Sequence, residues 1–191
     1  MIETLERLDQ QLLIKINSMH APLMDQIMWV VSGDFFLYPF AIMALILFYK
    51  KKGGRYVAAA LLGIGLCVAC ADLSSQLTKH TVKRYRPTHN LEVGPKLHIV
   101  NGYTGGKYTF FSSHASNTFS ITTLLFLMAG GMFGRKWRYL FFFIPFIIAY
   151  SRMYLGVHYP FDIFTGIVVG ILVGILVDKI LTRYFVKAPS A

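Results

Sequence analysis

The chain has 191 residues, 55% of them hydrophobic, with a mean hydropathy of +0.52 and a formal net charge of +10. Its apolar residues come in long blocks, which excludes an ordinary soluble domain, and no nucleic-acid module pattern accompanies the basic residues that separate those blocks. Cys67 and Cys70 lie inside one apolar stretch with neither a βαβ context nor further ligands nearby, so they read as small, buried and inert rather than as a redox or metal motif.

In chain order, Leu5, Leu8, Leu12 and Ile16 recur at helical spacing among Glu3, Glu6, Arg7, Asp9 and Lys15. The pattern predicts an amphipathic helix within residues 1–22, lying at a membrane interface, and it lacks the continuous apolar core of a signal peptide. Five apolar blocks follow, at about 29–49, 56–78, 115–133, 138–154 and 160–181. About 20 residues cross a ~30 Å hydrocarbon core, so each block is read as a span. The expected fold is all-α: a polytopic transmembrane bundle of about five spans, one domain over residues 1–191. Gly166, Gly170 and Gly174 form overlapping GxxxG patterns in the last span, which suit close packing within the bundle. Asp72, mid-span, is expected to pair with Gln76 or with a neighbouring span.

Alternation of the spans places Lys50–Arg55, Gly134–Arg138 and the Arg183–Lys187 tail on one side. Three polar clusters then share the other side: Lys79–Pro87, Phe111–His114 and Ser151–Asp162. The short, dense basic turns read as cytoplasmic, so the clusters face outward from a bacterial-type cytoplasmic membrane. Trp137, Tyr139 and Tyr184 fit an aromatic belt on the cytoplasmic face. Residues 88–110 form the one substantial loop, extracytoplasmic in this reading and placed to cover the site.

Ionisable side chains at the edge of a span are costly unless they pair or serve a function. The clusters combine Lys79, Arg86 and Arg152 with the hydroxyls of Ser112 and Ser113, the imidazoles of His114 and His158, and the Asp162 carboxylate. Preplaced cations stabilise the spread charge of a transferring phosphoryl group, and an Arg fork holds two phosphate oxygens. Ser112, Ser113 and His114 would open the third span, where free N–H groups bind anions. Asp162 lies four residues after His158, across Pro160 at the first turn of a helix. There it can accept one ring N–H and leave the other nitrogen to attack phosphorus. Lys83 and Arg84 read as snorkelling residues, and His20, His80, His89 and His98 as solvated or locally hydrogen-bonded groups.

The clusters resemble the three-part signature of the type 2 phosphatidic-acid phosphatase family: K-x6-R-P, then P-S-G-H, then S-R-x5-H-x3-D. Lys79 to Arg86-Pro87 fits the first part and Ser151-Arg152 to His158 to Asp162 the third. In the second part Phe111 replaces the Pro and Ser113 the Gly, which adds a side chain where the backbone would approach phosphate. The resemblance implies a membrane lipid phosphatase that needs no metal or other cofactor. His158 would be the nucleophile, His114 the general acid and then base, and Lys79, Arg86, Ser112, Ser113 and Arg152 the phosphate ligands. Phosphatidylglycerol phosphate, undecaprenyl diphosphate, phosphatidic acid and phosphorylated lipid A all remain open as substrates. Two rivals stand beside it: haloperoxidase chemistry, which uses related motifs on soluble scaffolds, and a non-hydrolytic protein that binds or transports anionic lipids.

Overall fold

A computed structural model describes residues 2–132 and 137–186. Its α-helices are α1 Ile2–Asn17, α2 Pro22–Val31, α3 Tyr38–Lys52, α4 Gly54–Val82, α5 Ser113–Ala129, α6 Phe143–Tyr154 and α7 Pro160–Leu181. No strand is present among the described residues, so the fold is the expected all-α bundle. α4, and α7 with its extension to Phe185, are each long and apolar enough to cross a membrane alone. α5 has 17 residues, about 26 Å of helix, and α6 belongs to a shorter apolar stretch, Tyr139–Tyr154.

The first block departs from the expected straight span. Helical stretches Pro22–Val31 and Phe35–Lys52 meet at 77°. Ser32 closes α2, Gly33 leaves it in an extended conformation, and Pro39 sits in the first turn of α3. A Ser-Gly-Asp triplet inside an apolar block is the signal for this break. Cys70 also differs from expectation: Cys67 is buried, but Cys70 is exposed on the outside of the bundle.

α5 is the central helix, and most of its residues are buried. Several of its hydroxyls bond back into the helix, Thr118 to the His114 carbonyl and Ser120 to the Asn117 carbonyl, so these cost little inside the bundle. α7 packs on α5 through the glycine row. A Cβ added at Gly166, Gly170 or Gly174 would stand 2.7, 2.5 or 2.6 Å from the carbonyl oxygen of Ser112, Ser116 or Ser120. The GxxxG pattern therefore seals an intramolecular seam, as expected. That seam fixes the depth of α7, and hence of Asp162, against the start of α5.

The polar clusters gather at one bundle end, where α4 and α6 finish and α5 and α7 begin. At the other end Lys51 donates to the Met132 carbonyl at 2.8 Å, and Tyr139 and Tyr184 are exposed. Residues 133–136 and 187–191, which include part of the Gly134–Arg138 turn and the end of the basic tail, lie outside the described residues, as does the Trp137 side chain.

Candidate active site

Four chain segments build the site, each set by a local rule. Lys83 ends α4 in the left-handed conformation (φ 53°), turning the chain so that residues 84–86 run beside 107–109. Backbone bonds lock that pairing: Arg86 N–H to the Lys107 carbonyl at 3.0 Å and Thr109 N–H to the Arg84 carbonyl at 2.9 Å. Ser112 caps α5, accepting from the Ala115 N–H at 3.4 Å. Gly156, at φ 70°, reverses the chain after α6, and Pro160 opens α7, so His158 sits on the turn between them.

Lys79, Arg86 and Arg152 are buried at this end, at 8%, 9% and 2% exposure. Arg152 donates to the Ser32 hydroxyl and, at 3.1 Å, to the Tyr103 hydroxyl, while its Nε has no partner among the described residues. Arg86 Nε donates to the Tyr108 carbonyl at 3.2 Å, and its Nη1 is likewise unpartnered. Burial, then the neighbouring Arg152 charge, lowers the Arg86 pKa from its usual value. Like charges held together with unpartnered donors, and no ion pair from Arg86 or Arg152 to a carboxylate among the described residues, form a receptacle for an anion. Ser113 belongs to it differently from the expectation: its hydroxyl accepts from Lys79 Nζ at 3.3 Å. The residue that replaces the family's Gly thus gives Lys79 a partner.

His158 is fully buried. Burial first, then the charges of Arg86, Arg152, Lys79 and His114, hold its pKa well below the ordinary histidine value. The ring is therefore neutral at neutral pH, a form that can act as a nucleophile. Its expected direct bond to Asp162 is replaced by a bridge. His158 Nδ1 and Asp162 Oδ2 are 3.7 Å apart, and the Thr109 hydroxyl lies between them, 2.8 Å from Nδ1 and 2.5 Å from Oδ2. A hydroxyl has one proton. Given to the carboxylate, it leaves the Thr109 oxygen to accept Nδ1–H, so the lone pair lies on Nε2. Nε2 has no partner among the described residues.

Asp162 is anchored on every side. Oδ2 also accepts from the Tyr159 N–H at 2.9 Å, and Oδ1 from Arg84 Nη1 at 3.0 Å. Arg84 Nη2 continues to Asp9 of α1 at 2.7 Å, the guanidinium stacks 4.0 Å over the Tyr159 ring, and Asp9 accepts from the Phe161 N–H. Burial opposes the Arg84 charge, but the carboxylates of Asp162 and Asp9 outweigh it and raise its pKa. The snorkelling assignment of Arg84 is therefore corrected: it is a partly buried cation between two carboxylates. Lys83 is exposed, consistent with its expected role. Two of the weaker histidines pack together. His98 stacks on His20 at 3.9 Å and pairs with Asp25 at 2.9 Å, away from the cation cluster.

His114, in the first turn of α5, lines the cavity that Arg152, Tyr103 and Ser32 border, so two of the expected residues share one cavity. Sequence reading missed Thr109, Arg84 as an anchor, Asp9, Tyr103 and Ser32. Only Thr109 carried a local signal, as a hydroxyl two residues ahead of the Phe111–His114 cluster.

A family profile described as the PAP2 superfamily matches residues 37–185. The chain belongs to the PAP2 superfamily. The lipid A 4'-phosphatase of Bacteroides thetaiotaomicron is 31% identical over 172 residues, covering 88% of this chain and 75% of that protein. Its counterpart from Porphyromonas gingivalis is 32% identical over 173 residues, covering 88% and 70%. Among solved structures, LpxE of Aquifex aeolicus aligns with TM-score 0.60 and 25% identity over 88% of this chain and 93% of its own. A PAP2-type phosphatidylglycerolphosphate phosphatase from Bacillus subtilis aligns with TM-score 0.69 over 95% and 88%, at 19% identity, a likeness of fold. Within the PAP2 profile lie all the residues of the three clusters, whereas Asp9 and Ser32 lie before it.

Proposed function

We propose that the chain hydrolyses a lipid phosphate monoester or diphosphate through a phosphohistidine, without a metal, at the outer face of a bacterial cytoplasmic membrane. Membership of the PAP2 superfamily and two lipid A 4'-phosphatase relatives make it a phosphatase of membrane lipid phosphates. The observation that carries the mechanism is the His158 ring, with Nδ1 tied to Thr109 and Nε2 unpartnered among buried cations.

In the first step Nε2 forms a bond to phosphorus and the phosphorus–oxygen bond of the ester breaks. His114 gives its proton to the departing oxygen. In the second step water attacks the phosphohistidine, His114 takes a proton from it, and the nitrogen–phosphorus bond breaks to release phosphate. Lys79, Arg86 and Arg152 hold the equatorial oxygens, with Ser112 and Ser113 at the start of α5 beside them. Residues 88–110 form the outer cover, and α1, with Leu5, Leu8 and Leu12 exposed, rests in the interface. The dense basic turn at Lys50–Arg55, at the opposite end of the bundle, supports the outward orientation.

The test is phosphate release by detergent-purified protein from a panel of lipid phosphates, with and without chelator. Wild type releases phosphate in excess EDTA and yields an acid-labile phosphoenzyme, and His158→Ala does neither. A protein that binds the lipids and releases no phosphate is the non-hydrolytic carrier instead.

A further inference from the structure

Asp72 is not among the phosphate ligands. It is a half-buried carboxylate on α4, seven residues and therefore about 10 Å of helix before Lys79. Its partner is Asn117 of the neighbouring α5, whose Nδ2 donates to Oδ1 at 2.9 Å. Its second oxygen has no protein partner among the described residues. A carboxylate at this depth is costly, and one amide bond satisfies only part of it.

Its location suggests a purpose. A cavity of about 390 Å³ runs between α3, α4, α5 and α6, lined by Asp72, Asn117, Ser113 and His114. It adjoins the smaller cavity beside Arg152 through His114 and Gly33, which line both. At its other end, Leu37 and Ile121 also line an apolar cavity of about 290 Å³, bordered by Phe40, Met43, Leu125 and Ile144. The order is thus a cation site, then a carboxylate held by an amide, then an apolar slot. A lipid phosphate ester has the same order: phosphate, polar head, acyl chain. His114 stands at the junction where the leaving oxygen would be protonated, so the middle cavity is the leaving-group side.

On the phosphatase reading above, we propose that Asp72, held by Asn117, is a leaving-group subsite that accepts hydrogen bonds from a phosphorylated sugar or polyol lipid. A free carboxylate oxygen recognises donors. The hydroxyl and amide N–H groups of an acylated amino sugar supply them, and so do the hydroxyls of a polyol. The diacylglyceryl group of phosphatidic acid offers ester oxygens, which are acceptors only, and a prenyl chain offers neither.

The experiment compares kcat/KM for two substrates of matched acyl chains in one detergent: a glycolipid phosphorylated on an acylated glucosamine, and phosphatidic acid. Asp72→Ala should lower the value for the glycolipid on the order of 10- to 100-fold, the effect of losing a hydrogen bond to a charged group. The value for phosphatidic acid should stay within about twofold, as expected when ground and transition states for that lipid do not use the group. Inhibition by vanadate, which fills only the phosphate site, should not be weakened. An equal loss on both lipids, or a loss of vanadate affinity, overturns the subsite. So does a wild-type enzyme that prefers phosphatidic acid. Should Asp72→Ala fail to fold, Asn117→Leu carries the comparison, because an unheld Asp72 must lower the glycolipid-to-phosphatidic-acid ratio, and an unchanged ratio overturns the proposal. A wild type that releases phosphate from no lipid phosphate refutes the phosphatase reading itself, a separate result from any change in ratio.

Discussion

Replacing Thr109 with Val tests the bridge at the centre of the site. Valine keeps the branched shape and removes the hydroxyl that joins His158 Nδ1 to Asp162 Oδ2. The two groups are left 3.7 Å apart, beyond hydrogen-bond length, in a place where both residues are fully buried. An unmet buried donor costs about 1–3 kcal/mol, so the variant should lose about that much stability. In the proposed mechanism, attack by Nε2 leaves positive charge on the ring, which the Nδ1–H bond to an acceptor stabilises. Losing such a charge-assisted bond is worth about 1.5–3 kcal/mol, a fall of about 10- to 150-fold in the rate of phosphoenzyme formation. Single-turnover quench with labelled substrate measures that step directly. Thr109→Ser retains the hydroxyl and should recover most of the rate. If Thr109→Val forms phosphoenzyme at the wild-type rate, or if the Ser variant is as slow as the Val variant, the hydroxyl is not the link.

Three further predictions address protonation, phosphate binding and sidedness. His158 has a folded pKa below the unfolded value of about 6.5. Its neutral form therefore favours folding fully above that value and progressively less as pH falls through the window beneath it. His158→Gln should flatten the decline in Tm between pH 8 and 5, and an unaltered slope would mean that the ring is not held neutral. Arg152→Ala should weaken vanadate inhibition about 10- to 150-fold along with turnover, since a guanidinium bonded to the anion contributes about 1.5–3 kcal/mol; turnover lost at unchanged vanadate affinity removes Arg152 from the phosphate site. For sidedness, a cysteine at Gly106, where a Cβ has open space, suits the outer loop better than one at Gly105, whose Cβ would collide with the Arg86 guanidinium. In a Cys70→Ala background, Gly106→Cys should react with an impermeant thiol reagent in intact spheroplasts and Lys50→Cys only after lysis. The reverse pattern would place the site in the cytoplasm.

Arg84 changes how the amino-terminal helix is understood. The interfacial amphipathic pattern of α1 was legible from its leucines, yet the pattern says nothing of Asp9, which faces inward to Arg84. Through that cation α1 is joined to Asp162, and the Tyr159 ring beneath the guanidinium holds it in plane. Removing one partner from such a partly buried network strands the others, which ties the geometry of the turn that carries His158 to the docking of α1.

The sequence by itself determined what depends on short chain spacing. Apolar blocks of helical length set the bundle, and alternation of those blocks put the polar clusters at one end. Lys79 and Arg86 flank one helix end, His158 and Asp162 stand four residues apart across a proline, and Ser112 caps the helix that carries His114. The glycine row of α7 likewise announced a close seam, because a missing Cβ every fourth residue has one helical meaning. Tertiary structure decided what depends on separation. Thr109 meets His158 and Asp162 across 49 and 53 residues, Arg84 meets Asp9 and Asp162 across 75 and 78, and Arg152 meets Ser32 across 120. No periodicity encodes such pairs, since each partner is a common polar residue whose role appears only when a buried charge beside it needs a bond. The break at Ser32–Leu37 lies between the two: the Ser-Gly-Asp triplet and Pro39 mark it in an otherwise apolar block, while only the fold shows that Ser32 meets Arg152 there.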